Sequence, residues 1–170
     1  MKTLVLGEPP PVLASLILER QRLGLDTHDE IWDGDYHMSP AASGPHGRSE
    51  VQLGGFLDRI ATKRGLFVGG AFNLGDAKSF RVPDLGVHRE DPLDNWFPAA
   101  AIVVEIRSPD DESYEKFGFY FDHGVEEILI ADLVTQATHW YVRGDVGFEP
   151  AGASAILNVS NSDVDAALGW

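Results

Sequence analysis

Two carboxylates and one cation stand close together in the middle of this sequence. Asp84 ends the series Arg81-Val82-Pro83-Asp84. Glu105 lies in the apolar run Ala101-Ile102-Val103-Val104-Glu105-Ile106-Arg107, and Lys116 follows shortly after. Placed at the mouths of neighbouring strands, Asp84 and Glu105 can hold a hard divalent cation such as Mg2+ or Mn2+ through their oxygens. Such an ion lowers the pKa of a bound water and polarises a phosphate, and a nearby Lys can orient that water or neutralise developing charge. This is the chemistry of metal-dependent phosphodiester hydrolysis, with Asp84 and Glu105 as metal ligands and Lys116 as the catalytic cation.

Each of these residues also has a plainer reading. Strand alternation puts Ala101, Val103, Glu105 and Arg107 on one face. A charge within that apolar run is costly without a partner or an ion, and an ion pair with Arg107 would answer the need as well as a metal. Pro83-Asp84 alone reads as a turn, and most helical Lys side chains are solvated. Arg107 competes with Lys116 for the cationic role, but an Arg stays protonated and is poorly suited to proton transfer. Arg81 is a further accessory cation beside Asp84. His46 and Glu50 fall one helical turn apart and share a face, where they can serve as base, ligand or substrate contact, or simply open an exposed helix. The other His residues lack zinc-type pair spacing, and no Walker-type phosphate loop or Gly-x-Ser-x-Gly elbow is present.

The elements that must position these side chains are legible in outline. Leu13, Leu16, Ile17 and Arg20 recur at helical spacing and predict a helix ending near Gly24. Glu30 to Met38 reads as two short strands about Asp33-Gly34, followed by a loop from Ser39 to Gly47. A second helix opens at His46 or Ser49, carries Val51, Leu53, Phe56, Leu57 and Ile60 on its apolar side, and stops at Gly65. Leu66 to Leu74 and Arg81 to His88 predict strands, the first bulged at Gly69-Gly70 and the second disturbed by Pro83. His88 to Pro98 predicts a loop, and Ala101 to Arg107 the clearest buried strand. Ser108 to Asp111 offers N-caps for a helix lined by Tyr114, Phe117 and Phe121 and ended by Gly124. Glu127 to Asp132 and Thr138 to Arg143 are the next strands, and Gly147 to Trp170 holds one strand and a short helix. No repeat or linker interrupts the chain, so residues 1–170 are expected to form one domain. The mixed order predicts an α/β or α+β fold with a central mixed sheet.

Composition narrows the classes. Cysteine is absent, which excludes disulfides and thiolate metal sites and is compatible with a cytoplasmic protein. No apolar run approaches the roughly 20 residues that span a bilayer, and Met1 to Leu6 lacks a secretory apolar segment. The net charge of −14 argues against gripping nucleic acid through a broad basic surface. A local cation patch with a bound metal can still reverse the field within one cleft.

Four segments resemble a known family. They are Glu30-Ile31-Trp32-Asp33-Gly34 with His37-Met38-Ser39-Pro40; Ser43-Gly44-Pro45-His46; Phe80-Arg81-Val82-Pro83-Asp84; and Val103-Val104-Glu105-Ile106-Arg107-Ser108-Pro109 with Lys116, Tyr120, His123-Gly124-Val125 and Ile128. Together, from about Glu30 to Asp132, they are similar to the Uma-type restriction-endonuclease family of the PD-(D/E)XK nuclease superfamily. The resemblance implies a restriction-endonuclease-like core, a mixed sheet flanked by helices with an N-terminal helix and β-hairpin. It implies Asp84 and Glu105 as metal ligands, Lys116 as the family's Lys on the following helix, and His46 as its recurring His. Arg107 takes the position where many superfamily members carry the Lys. The expected protein is a Mg2+- or Mn2+-dependent DNA endonuclease, homodimeric and cytoplasmic. Two other readings stand beside it: a non-catalytic nuclease-fold interaction protein, and a metal-dependent hydrolase of another phosphoester.

Overall fold

A computed structural model describes residues 3–109 and 111–170. Met1, Lys2 and Asp110, the last within the expected N-cap stretch, lie outside the described residues. The elements are β1 (Thr3–Val5), α1 (Pro11–Leu23), β2 (Glu30–Trp32), β3 (Asp35–Met38), α2 (Gly44–Ala61), β4 (Phe67–Gly69), β5 (Asn73–Asp76), β6 (Ser79–Arg81), β7 (Leu85–His88), β8 (Trp96–Phe97), β9 (Ile102–Arg107), a 3-10 turn (Ser113–Lys116) running into α3 (Phe117–Asp122), β10 (Glu127–Asp132), β11 (Ala137–Arg143), β12 (Phe148–Ala151), β13 (Ala153–Ser154), β14 (Val159–Ser160) and α4 (Asn161–Leu168). The fold is mixed α/β. One sheet runs β1-β3-β2-β6-β5-β8 and the other β12-β11-β10-β9-β7-β4, with a small β13-β14 pair.

Local chemistry explains the main boundaries. Pro11 opens α1, and Gly24, at φ 64°, closes it in the left-handed conformation that glycine tolerates. Asp33 and Gly34 both take positive φ, 52° and 98°, as a tight hairpin turn between twisted strands requires. The second helix starts at Gly44, earlier than its apolar periodicity indicates, because the Ser43 side chain caps it and accepts from the His46 N–H at 3.3 Å.

Two expected strands are each broken in two. Leu66 to Leu74 becomes β4 and β5, and Arg81 to His88 becomes β6 and β7. In both cases the halves belong to different sheets. Pro83 has no N–H to give to a ladder, so the chain leaves one sheet at Arg81, passes through Val82-Pro83-Asp84, and enters the other at Leu85. β8 lies within the stretch that reads as loop, because Pro92 and Pro98 dominate the local signal there.

The second sheet sets the site. β9 runs parallel to β10 and antiparallel to β7, with Leu85 opposite Val104. Extending that register by one residue puts Asp84 across from Glu105. One face of this sheet, with Ile102, Val104, Ile106 and Leu129, packs against Leu53, Leu57 and Ala61 of α2 and Val164 and Leu168 of α4. The other, with Val103, Ile128 and Ile130, packs against Tyr120 of α3 and Leu74 of the first sheet.

A buried His marks where the sheets meet. His88 lies between Phe72 and Phe97, ring centroids 4.8 and 4.6 Å away, and its Nε2 has no hydrogen-bond partner among the described residues. Burial lowers its pKa below the usual His value. The unfolded chain therefore binds a proton that the folded chain refuses. Stability contributed by neutral His88 is present above its unfolded pKa of about 6.5 and is lost as the pH falls below it. Denaturation of wild type and His88→Gln at pH 7 and pH 5 should show the larger acid-induced loss in wild type.

Candidate active site

A cleft of about 500 Å³ opens where the 39–45 loop, the start of α2, the Pro83-Asp84 joint, the end of β9 and the Ser113–Lys116 turn converge. Glu30, His46, Glu50, Asp84, Glu105, Asp111 and Lys116 are among its lining residues. Asp84, Glu105, Lys116 and His46, separated widely in sequence, are thus gathered at one place.

Glu105 and Lys116 are both buried, at 3% and 5% exposure, which makes the partners of each decisive. Lys116 Nζ lies 3.0 Å from Glu105 Oε1 and 2.9 Å from Glu30 Oε1. The Tyr120 hydroxyl donates a short hydrogen bond to Glu105 Oε1. Lys116 and Tyr120 reach the same carboxylate because they are a helical turn apart. Glu30 is fixed in turn: Oε1 accepts from the Val82 N–H at 2.7 Å and Oε2 from Trp32 Nε1 at 2.6 Å. Two carboxylates from two different sheets therefore clamp one ammonium.

Asp84 is held from both sides. Its Oδ2 accepts from the Ile106 N–H at 2.6 Å, and its Oδ1 lies 3.0 Å from His46 Nε2. Each oxygen keeps a further lone pair for a ligand.

The electrostatics follow from burial and crowding. Burial pushes Glu105 up to about 8, aided by the nearby charges of Asp84 and Glu30 and opposed by Lys116. Burial works against the Lys116 ammonium, but Glu105 and Glu30 outweigh it and raise its pKa. The hydrogen bond to Asp84 raises His46.

Among the described residues no three His, Asp or Glu side chains are gathered into a ready-made metal cage. Mg2+ does not require one: it commonly takes one or two carboxylates, waters and substrate phosphates. The oxygen donors of Asp84 and Glu105 suit such a hard ion, and the cleft places open space beside both.

The two Arg candidates stand elsewhere. Arg107 pairs with Asp132, its cross-strand neighbour on β10, at 2.7 Å. The pairing of Glu105 with Arg107 is therefore not made; Lys116 takes that place. The Arg81 guanidinium lies 4.4 Å from the Trp32 ring centroid and 4.1 Å from that of Phe119, and donates to the Ile31 and Phe80 carbonyls. It joins the first sheet to α3, and neither Arg is among the residues lining the cleft. Glu50 does line it. Sequence reasoning passed over Glu30, although a Glu beginning a short aromatic strand beside a tight turn is a signal of an inward charge in need of a partner.

The sequence profile of Uma2, described as "Putative restriction endonuclease", matches residues 17–163. No curated protein matches the chain. Among solved structures, one described as a putative nuclease belonging to DUF820 from Anabaena variabilis ATCC 29413 is similar, with a TM-score of 0.67 and 18% identity over 82% of this chain and 90% of that one. At that identity the likeness is one of fold.

Proposed function

This chain belongs to the Uma2 family, described as "Putative restriction endonuclease", and from that premise we propose that it is a divalent-metal-dependent DNA endonuclease. The observation that carries the reading is the Glu30–Lys116–Glu105 clamp beside Asp84 in one open cleft. Asp84 and Glu105 would hold Mg2+ or Mn2+, which when bound supplies an acidified water and positive charge against the scissile phosphate.

The chain's own groups do the rest. His46 and the Ile106 N–H fix the Asp84 carboxylate. Tyr120, kept protonated by burial and the adjacent Glu105, holds that carboxylate's orientation as a donor. Lys116, kept charged by Glu30 as well as Glu105, presents a fixed cation to the attacking oxygen or to the phosphate. Glu30 is the positioning residue that keeps Lys116 in place when Glu105 faces a metal.

The working form in this reading is a cytoplasmic homodimer. Two copies would align two clefts and concentrate the few basic residues against a polyanion that the net charge of −14 otherwise repels, and the lack of cysteine is compatible with a cytoplasmic protein. The same charge favours a second reading, in which the protein hydrolyses another phosphoester or binds without catalysis.

The test is cleavage of supercoiled plasmid against Mg2+ or Mn2+ concentration, with light scattering to give the oligomeric state. Wild type should nick or linearise DNA only with metal, and Asp84→Asn/Glu105→Gln should not. Activity that persists in the double variant would come from a contaminant. A folded protein inactive on every nucleic acid and metal would move the assignment to non-catalytic binding. Cleavage of small phosphodiesters without cleavage of DNA would move it to another phosphoester.

A further inference from the structure

Across the first turns of α2 from the cleft lies a second hollow of about 440 Å³. Pro45 lines both. His46 and Glu50 of α2 face the first. Arg48 and Gln52, again one helical turn apart and rotated around the helix, face the second. The turn between β10 and β11 divides in the same way, giving Leu133 to the cleft and Gln136 to the hollow. Leu168, Gly169 and Trp170 close the far side.

The lining chemistry departs from the rest of the chain. Asp and Glu number 27 against 13 Lys and Arg overall, yet no Asp or Glu lines this hollow. Arg48 is exposed and makes no ion pair among the described residues. Trp170 packs part of its surface on the core and leaves part exposed. A free guanidinium, two carboxamides and an indole are a donor set that suits nucleic acid. Arg takes phosphate, Gln reads base edges, and an aromatic ring stacks a base. The start of α2 adds its positive end on the same side.

We propose that this hollow is a nucleotide subsite, holding the part of the strand that flanks the phosphate cut in the neighbouring cleft. It rests on the nuclease reading. It gives an acidic protein a local cationic, aromatic foothold beside its site, without a basic face.

The test compares two substrates, a short fluorescein-labelled duplex and bis(p-nitrophenyl) phosphate. The second carries one phosphate and is too short to reach across α2. Arg48→Ala and Gln52→Glu should each weaken duplex binding about tenfold, within the range that one lost phosphate or base contact accounts for. Arg48→Ala should also reduce the slope of log affinity against log salt by about 0.9. Turnover of the small diester and the thermal midpoint should stay at wild-type values, and the duplex should quench Trp fluorescence in wild type but less in Trp170→Phe. Unchanged duplex affinity in both variants, with wild type cutting both substrates, overturns the subsite alone. Equal losses on both substrates overturn it too, as a structural effect. A wild type that neither binds nor cuts DNA overturns the nuclease reading and the subsite with it.

Discussion

Glu105→Gln should give a well-folded protein that no longer cuts DNA. The amide keeps the volume of the carboxylate, and its oxygen can still accept from Lys116 and Tyr120, which now reach Glu105 Oε1. What disappears is one of the two anionic ligands proposed for the metal. The loss of cleavage should exceed the roughly 10²–10³-fold that follows removal of a single electrostatic donor from a catalytic site. Stability should move the other way. Folding raises the pKa of Glu105 from an unfolded value near 4.3 to about 8. A group raised in this way favours the folded state fully below its unfolded value, and that contribution is lost as the pH climbs through 8. Gln carries no such penalty. At pH 8 without metal, Glu105→Gln should therefore melt at or above the wild-type temperature, and Mg2+ should stabilise wild type but not the variant. Plasmid cleavage and thermal unfolding with and without Mg2+ check both halves. A variant that still cuts would remove Glu105 from the ligand set, and one that unfolds would make its role structural.

Lys116→Ala should damage the fold as well as the activity. Without the ammonium, Glu30 and Glu105 face each other from two sheets with no cation between them, both with under a tenth of their side chains exposed. Breaking a buried ion pair from one side costs about 3–5 kcal/mol, so urea denaturation should detect a large fall. Mg2+ should restore part of it, since a divalent ion near Glu105 would displace the proton that Glu105 holds once Lys116 is gone and supply the positive charge missing beside Glu30. Adding Glu30→Gln to Lys116→Ala should restore stability without restoring cleavage. Arg107→Ala is the control. Its pair with Asp132 is partly exposed on the Arg side, and both its stability loss and its effect on cleavage should be smaller. If Arg107→Ala abolishes cleavage and Lys116→Ala does not, the catalytic cation is Arg107.

The β9 strand and three of the residues that line the cleft, Asp84, Glu105 and His46, carry local signals, whereas Lys116 stands out only through the family resemblance and the unsuitability of Arg for proton transfer. An apolar run interrupted by one Glu, a Pro-Asp step, and a helix start with His and Glu a turn apart can all be read without knowing the fold. What could not be read is what depends on pairing at a distance. Nothing near Arg107 in sequence announces that Asp132 will lie opposite it; the β9–β10 register decides that. Arg81 sits beside Asp84 in sequence, but the change of sheet at Pro83 sends the two side chains to different surroundings. Glu30 escaped because, of its three partners among the described residues, Val82 and Lys116 come from segments far along the chain and only Trp32 is local. The split of two expected strands has the same origin: apolar content marks a strand, but not which sheet receives it.

The clamp on Lys116 draws on Glu30 early in the chain and on β9, which is flanked on one side by β7 and on the other by β10. During synthesis the residues from Glu30 to Lys116 emerge before β10 exists to pair with β9, and Glu105 then has no enclosed pocket to occupy. The charges are all present at that moment, but solvated and apart. A ribosome-bound or truncated fragment ending before Glu127 therefore carries the residues of the candidate site without the site, and on the proposed reading any capacity to cut nucleic acid would arrive only with the finished fold.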